Sequence, residues 1–502
     1  MSRGVVAGGH PLTVEAGMHA LRSGGNAFDA AIAALAMSGV CEPLLTGLGG
    51  GGLAMLRVAD GGTPRHEVLD FFTNVPGLGQ SDETAASMEG ILVDFGPDKQ
   101  LFKRGEGSVG VPGMVGAIQA LHGSHGSLPL STLLAPAVQA ARHGLEVSVG
   151  LHRSILLLWP IIRDDPTLHE LFGQDDKPAP PGKRYAIPAL ADTLERIGTD
   201  GPEFLISGAG AEALLARVER NSRLTARDLS EYRTEMRSPM KGVYRGAEVN
   251  VPGVPSQGGA MVLHMLQTLE RGGGLPAPLT AAHVERLARA MEATDVARGP
   301  DHIDRFFEEG FLEGWLTSSF TGFTTHLSTA DEHGNAIGVT SSLGETAGFI
   351  VEETGVIPNN FLGEEDVNPE RLSRPHGARL LTMCCPTVVE HERGFLVMGS
   401  GGSSRIRTAL MQGIVGMMDH GMSLQEMADA ARCHFEDGVL RVESVNRPEG
   451  WLPPLKESFG DVIVFDEPGL FFGGLHMAGQ FDGELIGAGD ARRSGTFAIH
   501  GS

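Results

Sequence analysis

At Thr324 the sequence changes character, and that change limits the folds open to the chain. Residues 324–330 (TTHLSTA) and 336–343 (AIGVTSSL) alternate around the turn set Asp331-Glu332-His333-Gly334-Asn335, as a two-stranded hairpin does. Further strands are expected at CCPTVVEH, GFLVMGS, DVIVF and TFAIH, with a helix over TALMQGIVGMMDHGM among them. So strand-rich an end calls for helices to cover its sheets and for earlier strands to complete them.

The first 323 residues supply both. Residues 14–40 (VEAGMHALRSGGNAFDAAIAALAMSGV) carry small and apolar residues at helical spacing, broken at Gly24-Gly25-Asn26. They predict two closely packed helices, with Asn26 or Asp29 at the start of the second. After Thr46-Gly47-Leu48 and the run Gly49 to Gly52, LAMLRV and HEVLDFF read as strands. The glycine run lacks the Lys-Ser/Thr of a phosphate loop and stands after a helix and before a strand, so close backbone packing is expected of it. LSTLLAPAVQAARHGL, ALADTLERIG, AEALLARVERN and AAHVERLARAMEATDVA predict helices. Residues 164–183 look like an exposed loop, and residues 301–323, without a clean period, like a segment that rearranges. The expectation is an α+β fold in one large domain of two parts, 1–323 helix-rich and 324–502 strand-rich.

The net charge of −23 argues against a nucleic-acid partner, whose binding needs clustered Lys and Arg. With 41% apolar and 20% charged residues the chain falls within the globular range. No secretory signal opens it and no run approaches the ~20 apolar residues of a membrane span, so a cytoplasmic protein without a membrane partner is expected. Cys41, Cys384, Cys385 and Cys433 are too few and too irregular for a disulfide frame or a zinc site. They are expected to be buried thiols, and no metal or cofactor is expected.

A threonine hydroxyl inside a chain has no partner that makes it nucleophilic, so Thr324-Thr325-His326 alone says little. Its company says more: Gly334-Asn335, Thr340-Ser341-Ser342-Leu343, Asn359-Asn360 and Gly399-Ser400-Gly401-Gly402-Ser403-Ser404-Arg405. With GGNAFDAAIA, GLGGGG, the Pro112-Gly113 turn in SVGVPGMVGA, VPSQGG at 254–259 and the closing GAGDARRSG, these stand in the order of the γ-glutamyltransferase family. The chain resembles that family over nearly its whole length.

The resemblance implies a four-layer αββα N-terminal-nucleophile sandwich and a proenzyme that cuts itself between Phe323 and Thr324. The two fragments would stay together as a heterodimer. Cleavage would free an α-amine, whose reference pKa of about 7.7–8.0 suits it to accept the proton of its own Oγ. An acyl group would then pass from a small-molecule amide to Thr324, and on to water or an amine. The family's second hydroxyl falls on Ser342, and its paired oxyanion glycines on Gly402 and Ser403, where backbone N–H groups serve.

Substrate recognition departs from the family. Phe72 stands where the family has the arginine that grips the glutamyl carboxylate, and a phenyl ring cannot replace a bidentate guanidinium. Gly344 replaces an asparagine and Phe361 a glutamine. Thr382 and Met383 replace paired serines. The acid for the α-ammonium aligns near Glu364, with Glu365 and Asp366 as neighbours. Arg374, Arg379 and Arg405 are candidate cations for a different carboxylate, although Arg379 and Arg405 match arginines the family also has. The expected activity is an amidohydrolase or acyltransferase whose acyl pocket has changed. An acylase for a short dicarboxylic monoamide or a β-lactam side chain is the alternative, and a binding protein that has kept the fold the second.

Overall fold

Strands from both sides of Thr324 share each of two large antiparallel sheets. The computed structural model describes residues 2–81, 86–94, 99–297, 324–365, 367–368 and 374–501. The seven-stranded sheet runs Glu235–Arg237, Arg65–Asp70, Gly51–Val58, Ala336–Ser342, Thr325–Asp331, Gly4–Gly8, Thr496–His500. The six-stranded sheet runs Met240–Tyr244, Ala247–Val251, Thr387–His391, Gly394–Gly399, His476–Phe481, Glu484–Gly489.

Successive side chains of a strand point to opposite faces, and this alternation decides what each sheet buries. Val5, Met55 and Ala336 meet Val388, Phe395, Val397 and Ala478 in a core between the sheets. Their strand neighbours Val6, Leu56 and Ile337 face helices Pro11–Arg22 and Ala27–Cys41. On the far side Val389, Leu396 and Met398 pack with helices Gln257–Arg271, Ala281–Ala297 and Arg405–His420.

The helix pair at the front follows its sequence closely. Asn26 accepts from the backbone of Phe28 (2.9 Å) and Asp29 (3.0 Å), while Asp29 accepts from the Asn26 N–H (3.0 Å), a reciprocal cap. The alanine surface of Ala27–Cys41 lets the helix lie almost wholly buried. A Cβ on Gly49, Gly50 or Gly52 would overlap the carbonyl oxygens of Ile357, Ser342 and Thr340, so the glycine run is a site of close backbone approach, as expected.

Residues 164–183 are not simply a loop. Asp165 caps a helix at Pro166–Phe172, Pro166 suits its first turn, and Leu168 and Phe172, one turn apart, are buried. The strand expected from Cys384 begins only at Thr387, since Pro386 has no N–H to give a ladder. The strand Gly4–Gly8 gave no polar alternation because both its faces are buried. Phe323, Asp366 and the 301–323 segment lie outside the described residues. All four cysteines are buried and unbridged, and among the described residues no helix is long and apolar enough to cross a membrane.

Candidate active site

Thr324 stands just before the central strand Thr325–Asp331, buried, at the end of the seven-stranded sheet. The hairpin register pairs Thr325 with Ser341, so the next pair outward is Thr324 with Ser342. This is how two hydroxyls far apart in sequence come to face one pocket. Alternation sends Thr325 the other way, towards helix Ala27–Cys41, where its Oγ1 donates to Glu42 Oε1 at 3.1 Å. Beyond it His326 is fixed between Thr340 Oγ1 (2.8 Å) and Ser328 Oγ (2.9 Å). Burial holds the His326 imidazole well below its ordinary pKa, so it is a neutral strut.

The loop after strand Gly394–Gly399 closes on the Thr324 backbone. A Cβ on Gly401 would overlap the Thr324 carbonyl oxygen, which accepts from Arg493 Nη1 at 2.9 Å. Gly402 (φ 111°) and Ser403 (φ 50°) follow in the left-handed region and lead into helix Arg405–His420. The turn stands at the N-terminus of that helix, and its Ser403 lines the pocket at Thr324.

One small pocket, with about 20 Å³ open to the centre of a water molecule, is lined by Thr324, Ser342, Ser403, Phe72, Phe361, Glu364, Thr382 and Met383. Val367 and Cys384 complete it. Phe72 and Phe361 lie with ring centroids 4.7 Å apart and continue into Val75, Val367 and Leu380. Glu364 is the charged side chain of this lining; no Lys or Arg belongs to it among the described residues. Gly402 and Gly344 border the pocket through the chain next to Ser403 and Ser342 rather than lining it. Gly344 (φ 68°) donates its N–H to Ser342 Oγ at 2.8 Å, and a Cβ there would overlap Asn360 Oδ1 and Glu364 Oε1.

Two candidate cations are committed elsewhere. Arg379 donates to the Phe72 carbonyl and to Tyr232 Oη (2.8 Å) and pairs with Asp70 at 3.2 Å. Arg405 donates to the Phe471 carbonyl at 3.0 Å and lies over its ring. Arg374 is not part of the lining. Asn359 and Asn360 are scaffold: Asn359 bonds the backbone of Gly49 and Gly110, and Asn360 that of Lys103 and Glu345. A larger cavity, about 490 Å³ by the same measure, lies beyond Tyr232 and contains neither Thr324 nor Ser342.

Glu42 and Arg493 escaped the sequence reading. Burial pushes the Glu42 carboxyl up to about 7 against the pull of Thr325 and Arg493. Burial, with Arg405 nearby, brings Arg493 down to about 10. The sequence signal for Glu42 was present: it is the single charged residue between Asp29 and Arg57. An acid in so apolar a run is either buried or at a site.

Two packed antiparallel sheets covered by helices, with Thr324 just before a central strand and at a hydroxyl-lined pocket, place the chain in the class of the N-terminal-nucleophile hydrolase fold. The family model described as Gamma-glutamyltranspeptidase matches residues 13–309 and 313–500, and the chain belongs to that family of enzymes. It is 33% identical over 530 residues to the Acylase ACY 1 proenzyme of Pseudomonas sp. (strain V22), covering 99% of this chain and 93% of the relative. It is 28% identical over 547 residues to the Glutathione hydrolase proenzyme of Escherichia coli (strain K12), covering 98% and 90%. The structure of a cephalosporin acylase from Bacillus halodurans is similar with a TM-score of 0.81 at 23% identity, covering 99% and 96%, a likeness of fold. The chain is therefore an enzyme of amidohydrolase and acyltransferase type.

Proposed function

We propose that the chain cuts itself between Phe323 and Thr324 and then hydrolyses amides of short, uncharged acyl groups through an acyl-threonine intermediate. Thr324 Oγ attacks the Phe323 carbonyl, the resulting ester is opened by water, and the freed α-amine becomes the base for the same hydroxyl. Ser342 supports that hydroxyl, and the N–H groups of Gly402 and Ser403 stabilise the oxyanion. The fragments 1–323 and 324–502 stay joined as one αββα sandwich because each sheet draws strands from both.

One observation carries the choice of acyl group: the pocket at Thr324 is walled by Phe72, Phe361 and Met383 and holds one carboxylate and no cation among its described lining. A glutamyl α-carboxylate, or the free carboxylate of a dicarboxylic monoamide, would be desolvated there without a partner, beside Glu364. An apolar side chain meets no such cost. The acylase relative supports amide hydrolysis as the reaction.

The test is intact mass of the purified protein, followed by turnover of γ-glutamyl-p-nitroanilide against p-nitroanilides of short apolar acids. Two fragments with masses for a cut before Thr324, and apolar acyl preference, are expected. Thr324→Ala should remain one chain; a variant that still splits there removes Thr324 as the processing nucleophile. Preference for the glutamyl anilide would return the chain to ordinary γ-glutamyl chemistry.

A further inference from the structure

Glu42 follows directly on helix Ala27–Cys41 and points its carboxyl at the strand that begins after Thr324. Its Oε1 takes the Thr325 hydroxyl at 3.1 Å. Gly9 makes room for that bond, since a Cβ there would lie 2.6 Å from Oε1 and 3.2 Å from Thr325 Oγ1. Glu42 Oε2 is buried with no hydrogen-bond partner among the described residues. It belongs to a side chain that borders a small cavity shared with Arg493, whose Nε is likewise buried and unpartnered while its Nη1 holds the Thr324 carbonyl. Buried polar atoms without partners are rare in native proteins and cost stability. Here two such atoms belong to side chains that border one small cavity, and each of these side chains grips one of two consecutive residues.

We propose that Glu42 is a positioning residue for Thr324, acting through Thr325 and together with Arg493. Because consecutive strand side chains face opposite ways, anchoring Thr325 on the helix side turns Thr324 to the pocket side. Arg493 fixes the carbonyl between them. The pair thus sets where Thr324 Oγ stands, in self-cleavage and in turnover alike. The proposal rests on Thr324 being the nucleophile.

Ionised Glu42 makes the stronger, charge-assisted bond to Thr325. The clamp should therefore tighten as pH rises through about 7. The groups that bear on this carboxyl are Cys41, Tyr185 and Arg493, with His10, Arg153 and Arg492 around the shared cavity. Self-cleavage separates Glu42 from the catalytic amine: in the precursor the Thr324 nitrogen is a peptide nitrogen and does not titrate.

The experiment is the rate of self-cleavage of freshly refolded precursor against pH, for the parent, Glu42→Gln, Thr325→Val, the double variant and Thr324→Ala. Glu42→Gln keeps size and an acceptor but removes the charge. It should cleave roughly 10- to 100-fold more slowly at pH 8, as small misplacements of a reacting group do, and lose the limb near neutral pH. Thr325→Val should be slow as well, and the double variant little slower than either single one. Glu42→Gln with the parent's rate and pH profile overturns the proposal, provided Thr324→Ala stays uncut. If Thr324→Ala splits, the nucleophile assignment fails instead. Should Glu42→Gln not refold by circular dichroism, Thr325→Val decides, and an unaltered rate and profile in that variant overturns the proposal too.

Discussion

At the scale of single residues, the hydroxyls and the buried acid make distinct demands. Ser342 sits in register across from Thr324, so Ser342→Ala is expected to fold and yet to slow self-cleavage and turnover by ~10²-fold, the usual worth of one such bond in a transition state. Ser342→Thr should keep both, and an Ala variant with the parent's turnover would reduce Ser342 to a strand residue. Glu42 has a stability signature of its own. Its folded pKa of about 7 lies above the ordinary carboxyl value of 4.5, so the native state holds a proton the unfolded chain releases. Its contribution is present below about 4.5 and is lost as pH rises through about 7. Glu42→Gln should therefore be more stable than the parent at pH 8, by roughly 3 kcal/mol, and no more stable at pH 4.5. Urea melts at the two pH values measure the difference.

Among the turns and strands, Gly344 explains why the altered recognition is hard to reverse. It is a left-handed residue packed against Asn360 and Glu364. Asparagine tolerates that backbone region, yet its side chain has no space there. Gly344→Asn is expected to destabilise by roughly 1–3 kcal/mol, the typical cost of overpacking, and Phe72→Arg with Gly344→Asn should not create glutamyl transfer. Efficient turnover of a γ-glutamyl anilide by that double variant would show the pocket to be more adaptable than its packing implies. The cap at Asn26 was legible in the sequence because capping is local chemistry: Asn26→Ala should cost about 1 kcal/mol by thermal melting. The helix Pro166–Phe172 was hidden by the proline and charge around it, although Asp165-Pro166 is a helix start and Leu168 with Phe172 an apolar pair.

For the molecule as a whole, the pH dependence is set by buried histidines. Burial brings His10, His283, His434 and His476 down to about 4, and His326 well below its ordinary value. Folded values below the unfolded 6.5 mean that their stabilising share is present above 6.5 and is lost as pH falls towards about 4. Each unit of depression corresponds to about 1.4 kcal/mol, against a total stability of about 5–15 kcal/mol for a typical domain. Acid unfolding followed by circular dichroism should accordingly have its midpoint between 6.5 and 4, with a slope of more than one proton. A protein still folded at pH 3.5 would show that these histidines find water or partners on protonation.

What the sequence determined by itself is what depends on neighbours along the chain or on residue identity. The hairpin after Thr324, the Asn26 cap and the glycine run follow from alternation, capping chemistry and the absence of a Cβ, while the expected site residues came from the family resemblance. Tertiary structure alone decided which charged groups belong to that pocket. Arg379 and Arg405 looked available on paper and are spent on Asp70, Tyr232 and the Phe471 carbonyl. Glu42 and Arg493, from opposite ends of the chain, meet behind Thr324 and Thr325. The reason is physical: the fate of a charge depends on burial and on partners distant in sequence, and neither is written in the residues beside it.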